Sequence, residues 1–380
     1  MMKNSVITLV NPAAAAPAWR APQFPARFAA GSGVINKVGG RLLLIVLSLI
    51  TAVAIGRMGY QIYTAAKAVD PNAELCTHGS GKAAIDACSL LIKAGDQAPA
   101  RIQRGNAYLD ANRTDEALED YSAALQLAPD NSAAHNNRGL IYYRLGRYDQ
   151  AIGDFDEAIR LNPQDAKAMV NRGNAYLALN SYSRAIKDYE AALRLKPDYA
   201  GALAGRGRAR AAKQQYDLAI RDFDAAAKLA PDDLNIVWSR ALAYGDHGQY
   251  KRGLAELDRV VRLRPRAFSY NSRCWMRANW GQELDLALAD CNEALRQKPG
   301  TAAYLDSRAL VYLRMEKYAS AIADAHAALA GNPDLPTSLY ILGVARQRTG
   351  DDRNAGADIA AAKQLDPKVA AIFAKWGVTP

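Results

Sequence analysis

The residues that most often do chemistry in proteins, histidine and cysteine, are few and scattered in this chain. Its four histidines, His78, His135, His247 and His326, have no partner at metal-ligand spacing, and no His-Glu-x-x-His sequence occurs. The four cysteines include no Cys-x-x-Cys, so neither a zinc ribbon nor a thioredoxin-like motif is indicated. A phosphate-binding loop and a Gly-x-Ser-x-Gly sequence are also lacking. We therefore predict no catalytic residue, no metal site, no cofactor and no enzymatic activity.

Charge is distributed unevenly along the 380 residues. The formal net charge is +10, yet residues 1–69 hold seven Lys or Arg and no Asp or Glu, while the rest of the chain holds 41 basic and 38 acidic residues. Half of all residues are hydrophobic and 23% are charged, as is typical of a folded protein. Because the body of the chain is close to neutral, we expect no binding to nucleic acid through counterion release.

The N-terminal part of the chain contains one long apolar segment. Residues 1–40 are basic and rich in Ala and Pro, so we expect a disordered tail. Fifteen uncharged residues, Leu42–Gly56, follow between Arg41 and Arg57. A membrane span needs about 20 apolar residues. The segment is therefore an uncleaved anchor extended over 41–63, a cleaved export signal, or a merely buried helix.

The first two of these interpretations agree on topology. Five of the seven N-terminal basic residues precede the apolar core, and the positive-inside rule keeps such an N-terminus in the cytoplasm. Both interpretations therefore send the residues that follow across the membrane.

The strongest pattern in the chain is a repeat of 34 residues. A proline recurs at this interval eight times without an insertion, at Pro129, Pro163, Pro197, Pro231, Pro265, Pro299, Pro333 and Pro367. A small residue lies 12 positions before each proline (Ala117 in the first unit), and in most units another lies 24 positions before it (Gly105). Small residues let two helices cross closely, and the proline ends the second helix. The pattern predicts an all-α chain of hairpins that stack into a solenoid, because one unit cannot bury its apolar side alone.

These residues resemble the tetratricopeptide repeat. The resemblance covers residues 98–369 as eight units, which start at 98, 132, 166, 200, 234, 268, 302 and 336. It implies an α-α superhelix, a right-handed solenoid of about eight hairpins with capping helices. Arg210, Ala278 and Arg346 stand in place of a usual Tyr, and Trp275 stands where Gly is usual. We therefore expect the last units to pack less regularly.

Two segments flank the eight units. Residues 64–97 are expected to form a linker and an N-terminal half repeat, because Lys82–Ala94 is in phase with the later second helices. Residues 370–380 are expected to form a final helix that covers the open end of the solenoid. The apolar residues of that helix are Ile372, Phe373 and Trp376.

An arginine recurs just before the small residue of the first helix, and an acid recurs sixteen residues later. Residues equidistant from the turn of an antiparallel hairpin lie at the same height, so we expect one partly buried ion pair per unit, within the hairpin or bridging to its neighbour. The pairs are Arg104–Asp120, Arg138–Asp154, Arg172–Asp188, Arg206–Asp222, Arg240–Glu256 and Arg308–Asp324. In unit 6 the arginine, Arg273, lies one position before its repeat position, and Asp290 and Asp358 complete the eight acids. Because the acids recur in step with the arginines, a structural role is favoured over a basic groove for anionic ligands.

The cysteines occupy positions where bridges could form. Cys274 and Cys291 lie at mirrored heights of the sixth hairpin, and Cys76 and Cys88 flank the half repeat. In a cytosolic protein, four reduced and buried thiols would be the expectation. Because the N-terminal segment indicates export, we predict two disulfides, 76–88 and 274–291.

The resemblance also implies where a partner would bind. In this family the first helices line a concave surface that takes segments of partner proteins. The usual groove positions are occupied by Ile102, Asn106, Asn136, Tyr143, Arg144, Asn174, Arg208, Trp238, Met276, Asn279, Asp306, Arg314, Tyr340 and Arg348. Among these, Asn106, Asn136 and Asn174 are expected to hydrogen-bond a peptide backbone. Apolar pockets are expected at Tyr143, Trp238 and Met276.

The sequence thus predicts a non-enzymatic scaffold that holds a protein or peptide partner on its concave face. Resemblance to bacterial envelope repeat proteins implies association with the inner membrane through residues 41–63 and a repeat array on the periplasmic side, or secretion to the periplasm. Two alternatives stay open. One is a cytoplasm-facing adaptor of the chaperone type, and the other is a regulatory subunit that recruits an envelope enzyme.

Overall fold

The computed structural model describes residues 70–380, which form 19 α-helices and no strand. In chain order the helices are α1 Pro71–His78, α2 Gly81–Ala94, α3 Ala98–Asp110, α4 Thr114–Leu127, α5 Ser132–Arg144, α6 Tyr148–Leu161, α7 Ala166–Ala178, α8 Tyr182–Leu195, α9 Ala200–Ala212, α10 Tyr216–Leu229, α11 Leu234–Asp246, α12 Tyr250–Leu263, α13 Ala267–Trp280, α14 Leu284–Gln297, α15 Ala302–Arg314, α16 Tyr318–Gly331, α17 Pro336–Arg348, α18 Asp352–Leu365 and α19 Val369–Lys375. Helices α3 to α18 form eight hairpins, units 1 to 8. In each unit the first helix has an odd number and the second an even one.

The predicted tail at 1–40 and the predicted anchor or signal at 41–63 lie outside the described residues. Within residues 70–380, no helix combines the length and the apolar character that a membrane crossing needs. Residues 71–380 form one compact unit, and the description below concerns this unit alone.

Each hairpin turns at a residue with positive φ. These residues are Asn112, Gly146, Asn180, Gln214, Gly248, Gly281, Glu316 and Gly350. They follow the 34-residue interval except in unit 6, where the turn comes one residue early. At the other end of each unit, the second helix ends two positions before the repeated proline, whose missing N–H cannot continue a helix.

Consecutive helices pack against each other along the whole array. Among contacts that skip one helix, all of the stronger ones join odd-numbered helices, for example α7 with α9 and α13 with α15. Because the first helices of neighbouring units approach one another in this way, they line the inner, concave side of the solenoid. The second helices form the outer side.

The two helices of units 1 to 4 cross where a glycine faces an aromatic ring. In unit 2, a Cβ added at Gly139 would lie 2.7 Å from the ring of Phe155, so any larger residue would push the helices apart. Gly105, Gly173 and Gly207 face Tyr121, Tyr189 and Phe223 in the same manner. In unit 6 the equivalent pair is Cys274 and Cys291, which are joined by a disulfide with Cα atoms 5.5 Å apart. A covalent bridge thus takes the place of the ring contact.

Unit 6 departs from the strict 34-residue register. Its first helix, α13, begins one residue early and has 14 residues, whereas the first helices of the other seven units have 13. Positive φ at both Gly281 and Glu283 brings the second helix back into phase. The small-residue position is therefore held by Cys274 and not by Trp275, which corrects the prediction made by counting. By the same shift, Arg277 and not Ala278 occupies the tyrosine position.

An arginine–carboxylate pair is present in all eight units. In unit 3, Arg172 donates from Nε to Asp188 Oδ2 at 2.8 Å and from Nη2 to Asp188 Oδ1 at 2.6 Å. Its Nη1 donates to Asp156 Oδ1, on the second helix of the preceding unit, at 2.6 Å. The bonds to Asp188 raise the pKa of Arg172. The arginine therefore joins both helices of its own hairpin and also the neighbouring unit.

Six of these pairs have the predicted spacing of sixteen residues. They are Arg104–Asp120, Arg138–Asp154, Arg172–Asp188, Arg206–Asp222, Arg240–Glu256 and Arg308–Asp324. Arg273 reaches Asp290 across seventeen residues, because of the shift in unit 6. Units 4, 6 and 8 hold an arginine in place of the first-helix tyrosine, and this arginine also donates to the acid of its unit. These arginines are Arg210, Arg277 and Arg346.

Short helices close both ends of the array. The predicted half repeat is α2, and α1 completes it as a shortened hairpin that the Cys76–Cys88 disulfide holds together. At the other end, Phe373 of α19 is fully buried, with its ring centroid 4.6 Å from that of Tyr340. Ile372 faces solvent instead, so it does not help to cover the end as expected.

We expect Arg172→Ala to lower the free energy of unfolding by about 3 kcal/mol, because it leaves the buried carboxylate of Asp188 without its cation. Arg172→Met should cost less, since Met keeps the packing of the aliphatic stem, and Asp188→Ala should also destabilise. Denaturant unfolding followed by circular dichroism measures these losses. The control is Arg160→Ala, whose exposed guanidinium pairs with Glu157 on the same helix and should matter little. Equal, near-zero losses for all variants would contradict a structural role for the ladder.

We expect protein that is denatured without reductant to show no free thiol, and four after reduction. The double variant Cys274→Ala/Cys291→Ala should lower the free energy of unfolding by about 2–4 kcal/mol, because it removes a cross-link from the unfolded chain. Cys76→Ala/Cys88→Ala is the comparison. It should loosen only the N-terminal hairpin, since units of a solenoid contact only their neighbours. Four reactive thiols in the unreduced protein would rule out both bridges.

Candidate functional site

Three positions of each first helix, spaced four residues apart, form a stripe along the concave side. In units 5 and 6 the stripe consists of Trp238, Leu242, Asp246, Asn271, Trp275 and Asn279, all of which line one cavity. Unit 7 adds Asp306 to this cavity, and Trp376, the residue directly after α19, adds a further indole. The repeat therefore places the first helices of units 5 to 7 side by side and brings residues that are distant in sequence to one wall.

This cavity has a volume of about 390 Å³, within the range of roughly 300–1,000 Å³ that is usual for ligand pockets. Its walls are mainly aromatic and aliphatic. The large apolar residues are Trp238, Leu242, Tyr250, Phe268, Trp275, Met276 and Trp376. The walls are held in place by ring contacts, since Trp238 lies 5.1 Å from Phe268 and Trp275 meets Trp376 edge-on at 5.4 Å, centroid to centroid.

The C-terminal helix α19 closes one side of the cavity. Lys375 Nζ donates to the backbone oxygen of Asp246 at 2.8 Å, and Arg314 Nη2 donates to the backbone oxygen of Trp376. Further along the tail, Arg348 Nη2 donates to the backbone oxygen of Thr379 at 3.1 Å. The last residues of the chain thus run along the inner side of units 5 to 8.

Arg314 bonds only backbone oxygens among the contacts of residues 70–380 and forms no salt bridge there. Its Nη2 donates to two backbone oxygens, those of Asn279 at 3.1 Å and Trp376, and its Nε is buried without a partner. Burial lowers the pKa of this guanidinium. The arginine therefore joins unit 6 to the tail. A guanidinium paired with a carboxylate would have fewer N–H groups left for these two backbone oxygens.

Two carboxamides in the cavity wall also have unmatched atoms. Asn271 Oδ1 and Asn279 Oδ1 are buried and accept no hydrogen bond. A buried polar atom without a partner costs about 1–3 kcal/mol, so such atoms in a cavity wall indicate a place for a guest that donates. Beside them Asp306 is buried and accepts from Thr337 Oγ1 at 2.9 Å and from Ser338 Oγ. Burial raises the pKa of the Asp306 carboxyl.

The three asparagines expected to bind a peptide backbone are already engaged within the scaffold. The Oδ1 atoms of Asn106, Asn136 and Asn174 accept hydrogen bonds from Tyr121 Oη, Asn171 Nδ2 and Tyr189 Oη, respectively. Burial raises the pKa of Tyr121 to about 12, so that its hydroxyl stays protonated and donates. Asn106 and Asn174 therefore brace their own hairpins, and Asn136 joins unit 2 to unit 3, roles that repeat spacing alone does not reveal.

The expected apolar groove residues have different places. Trp238 lines the cavity, and its Nε1 donates to Ser272 Oγ at 3.0 Å. Met276 also contributes to the cavity wall, but it is only 3% exposed and packs on Gly253 in the core between units 5 and 6, so Trp275 presents the larger inner surface. Tyr143 is half-buried beside Tyr148, far along the solenoid from this cavity. Arg208 is exposed on the first helix of unit 4 and does not line the cavity.

Histidine, cysteine and acidic side chains form no metal-binding group within residues 70–380. His135 shows why, since its ring nitrogens contact Asp154 Oδ1 and the backbone oxygen of Pro129, both at 2.9 Å. It supports the ion pair of unit 2. The cavity on units 5 to 7 is thus the candidate functional site.

Comparison with known proteins agrees with this architecture. A family model described as "Tetratricopeptide repeat" matches residues 102–166, 239–302 and 307–370, and a second model of the same description matches 166–199. No curated protein matches the chain.

Solved structures with similar folds include a tetratricopeptide repeat protein from Parabacteroides merdae, with 22% identity, a TM-score of 0.56, and coverage of 66% of this chain and 99% of that one. The APC/C hetero-tetramer Cut9-Hcn1 has 15% identity, a TM-score of 0.55, and coverage of 77% of this chain and 58% of that one. MamA from Desulfovibrio magneticus RS-1 has 21% identity, a TM-score of 0.41, and coverage of 44% and 96%.

At these identities, the two structures with TM-scores above 0.5 establish the fold alone. Repeats of this kind form extended concave surfaces, and proteins built from them serve as protein-interaction scaffolds. Since the family models match more than half of its residues, and since the described residues fold into eight stacked helix hairpins, the chain belongs to the tetratricopeptide repeat family.

Proposed function

We propose that this protein is a non-enzymatic scaffold that holds an extended segment of a partner protein along the inner side of units 1 to 8, with the cavity on units 5 to 7 as its anchor point. The observation that carries this proposal is the cavity itself. It is concave, largely aromatic, and contains buried polar atoms that lack partners within the scaffold. Aromatic anchors in desolvated pockets dominate the energy of most protein interfaces.

The inner side changes character along the array, which supports an anchor near the C-terminal half. In units 1 to 3 the inner asparagines are satisfied by bonds within the scaffold. In units 5 and 6 the same side presents two indoles and two unmatched carboxamide oxygens. A partner segment would therefore gain most of its binding energy there and only shape complementarity elsewhere.

We further propose that the array is tethered to the inner membrane or exported across it, on the periplasmic side. The support comes from the apolar segment within 41–63, from the basic residues that precede it, and from the two disulfides. Disulfides persist in oxidising compartments and are rare in the cytosol. This argument favours the exported scaffold over a cytoplasm-facing adaptor.

Photo-crosslinking in whole cells tests the groove. A benzoylphenylalanine in place of Arg208, which is exposed on the inner side, should crosslink a partner. Trp238→Ala and Trp275→Ala should each lower the yield of this crosslink at least fivefold, because each removes an anchor wall. The matched control is Leu263→Ala, which truncates an exposed side chain on the second helix of unit 5 and should change nothing. Circular dichroism verifies that all variants stay folded. Equal crosslinking in the wild type, both tryptophan variants and the control would refute the groove.

A reporter fusion tests the location. Alkaline phosphatase, which is active only after export, is fused after Pro380 and should be active, because the predicted topology carries the C-terminus across the membrane. Deletion of residues 41–63 should abolish that activity. A β-galactosidase fusion at the same point serves as the inverse control. Activity of the β-galactosidase fusion alone would favour the cytoplasm-facing adaptor.

A further inference from the structure

We propose that the cavity on units 5 to 7 is a pocket for a basic side chain, so that the partner segment carries an arginine or lysine at this point. The inference rests on the proposed function and names the chemistry of the residue that the anchor point would take. Charge, aromatic composition and the contacts of the chain's own tail lead to it.

The first argument is the charge of the cavity wall. Its lining contains two carboxylates, Asp246 and Asp306, and no lysine, arginine or histidine. Asp306 is 7% exposed, and its two hydroxyl donors, from Thr337 and Ser338, are neutral. A cation that enters the cavity would meet an Asp306 carboxyl that no other cation contacts, and it would favour the ionised form that burial alone disfavours. An acidic guest would be repelled by the same two groups.

The second argument is the shortage of hydrogen-bond donors for the wall's acceptors. Asn271 Oδ1 and Asn279 Oδ1 are buried and unmatched. The terminal torsion of an asparagine is broad, so a small rotation turns either oxygen towards a guest. A guanidinium offers five N–H donors and an ammonium offers three, whereas an aliphatic guest offers none and would leave both oxygens unmatched. The wall thus favours a guest that donates several hydrogen bonds at once.

The third argument is the aromatic composition of the wall. Three indoles, those of Trp238, Trp275 and Trp376, line the cavity. Tryptophan is the best aromatic partner for a cation that lies over its face, and the methylene stem of Arg or Lys packs on apolar walls while its charged end stays polar. Apolar walls that also carry unmatched acceptors suit such an amphipathic side chain.

The tail of the chain supplies the fourth argument. Lys375 Nζ donates to the backbone oxygen of Asp246 and lies 5.6 Å from the ring centroid of Tyr216, at the rim of the cavity. The protein therefore already holds one cation beside an acid and an aromatic ring at this place. A basic residue of the partner would bring a second cation to the Asp306 side of the same cavity.

Peptides with one variable residue test the proposal on the full-length protein. The probes are acetyl-Gly-Ala-Xaa-Ala-Gly-amide with Xaa as arginine, citrulline, leucine or glutamate; citrulline keeps the shape of arginine and removes its charge. Calorimetry measures affinity. Fluorine NMR of protein labelled with 5-fluorotryptophan, assigned by single Trp→Phe variants, shows which of the five tryptophans respond. We expect the arginine peptide to bind at least tenfold more tightly than the other three and to shift the Trp275 and Trp376 signals.

Variants locate the charge that is recognised. Asp306→Asn should weaken the arginine peptide at least fivefold and leave the leucine peptide within twofold. The control is Asp285→Asn, an exposed acid on the second helix of unit 6, and it should alter neither. Equal binding of the arginine and citrulline peptides would overturn the proposal, and this comparison needs no variant to fold.

The remaining outcomes separate this inference from the proposed function. If the leucine peptide binds at these tryptophans as tightly as the arginine peptide, the anchor stands and its basic specificity is wrong. If the glutamate peptide binds most tightly, the charge argument is wrong. If no peptide shifts a tryptophan signal, both the specificity and the role of this cavity as an anchor are refuted.

Discussion

Every hairpin of this protein depends on how closely its two helices can cross. In the first four units a glycine on one helix packs against an aromatic ring of the other. A Cβ at Gly139 would lie 2.7 Å from the ring of Phe155. Beside this contact, an arginine of the first helix reaches an acid of the second and often a polar residue of the preceding unit. The crossing therefore sets the height of both partners of the ion pair, and the pair in turn fixes how one unit sits on the next.

The sixth unit shows that the crossing can be kept while its chemistry changes. A disulfide replaces the glycine and the ring, and the helix is one residue longer. The longer helix rotates the groove positions by one residue, so that an indole, Trp275, faces the inner side where counting placed Met276. The candidate site thus lies at the one place where the array departs from its period.

Repetition made most of the fold predictable. Eight prolines at constant spacing define the hairpins, and arginines and acids in step define the ladder, because a pattern repeated eight times averages out local exceptions. The groove was less predictable. The hydroxyl of Tyr121 donates a hydrogen bond to Asn106 Oδ1. Whether Asn106 is free to bind a peptide therefore depends on the length of a side chain on another helix. The shift in unit 6 did leave one signal, since Arg273 stands one place before the expected position. The contacts of the tail have no counterpart in the repeat, so the 34-residue period could not predict them.

The contact between Lys375 and Asp246 joins residues 129 positions apart, and the other contacts of the tail are also long-range, whereas the repeat units themselves contact mainly their neighbours. It makes the two halves of the array mechanically unequal. Units 5 to 8 are fastened across their inner side by α19, so their pitch cannot widen unless the bonds of Lys375 and Arg314 break. Lys375 also lies over the ring of Tyr216 in unit 4, whereas units 1 to 3 have no contact with the tail among those described. Under tension the N-terminal units would therefore extend more easily than the C-terminal units.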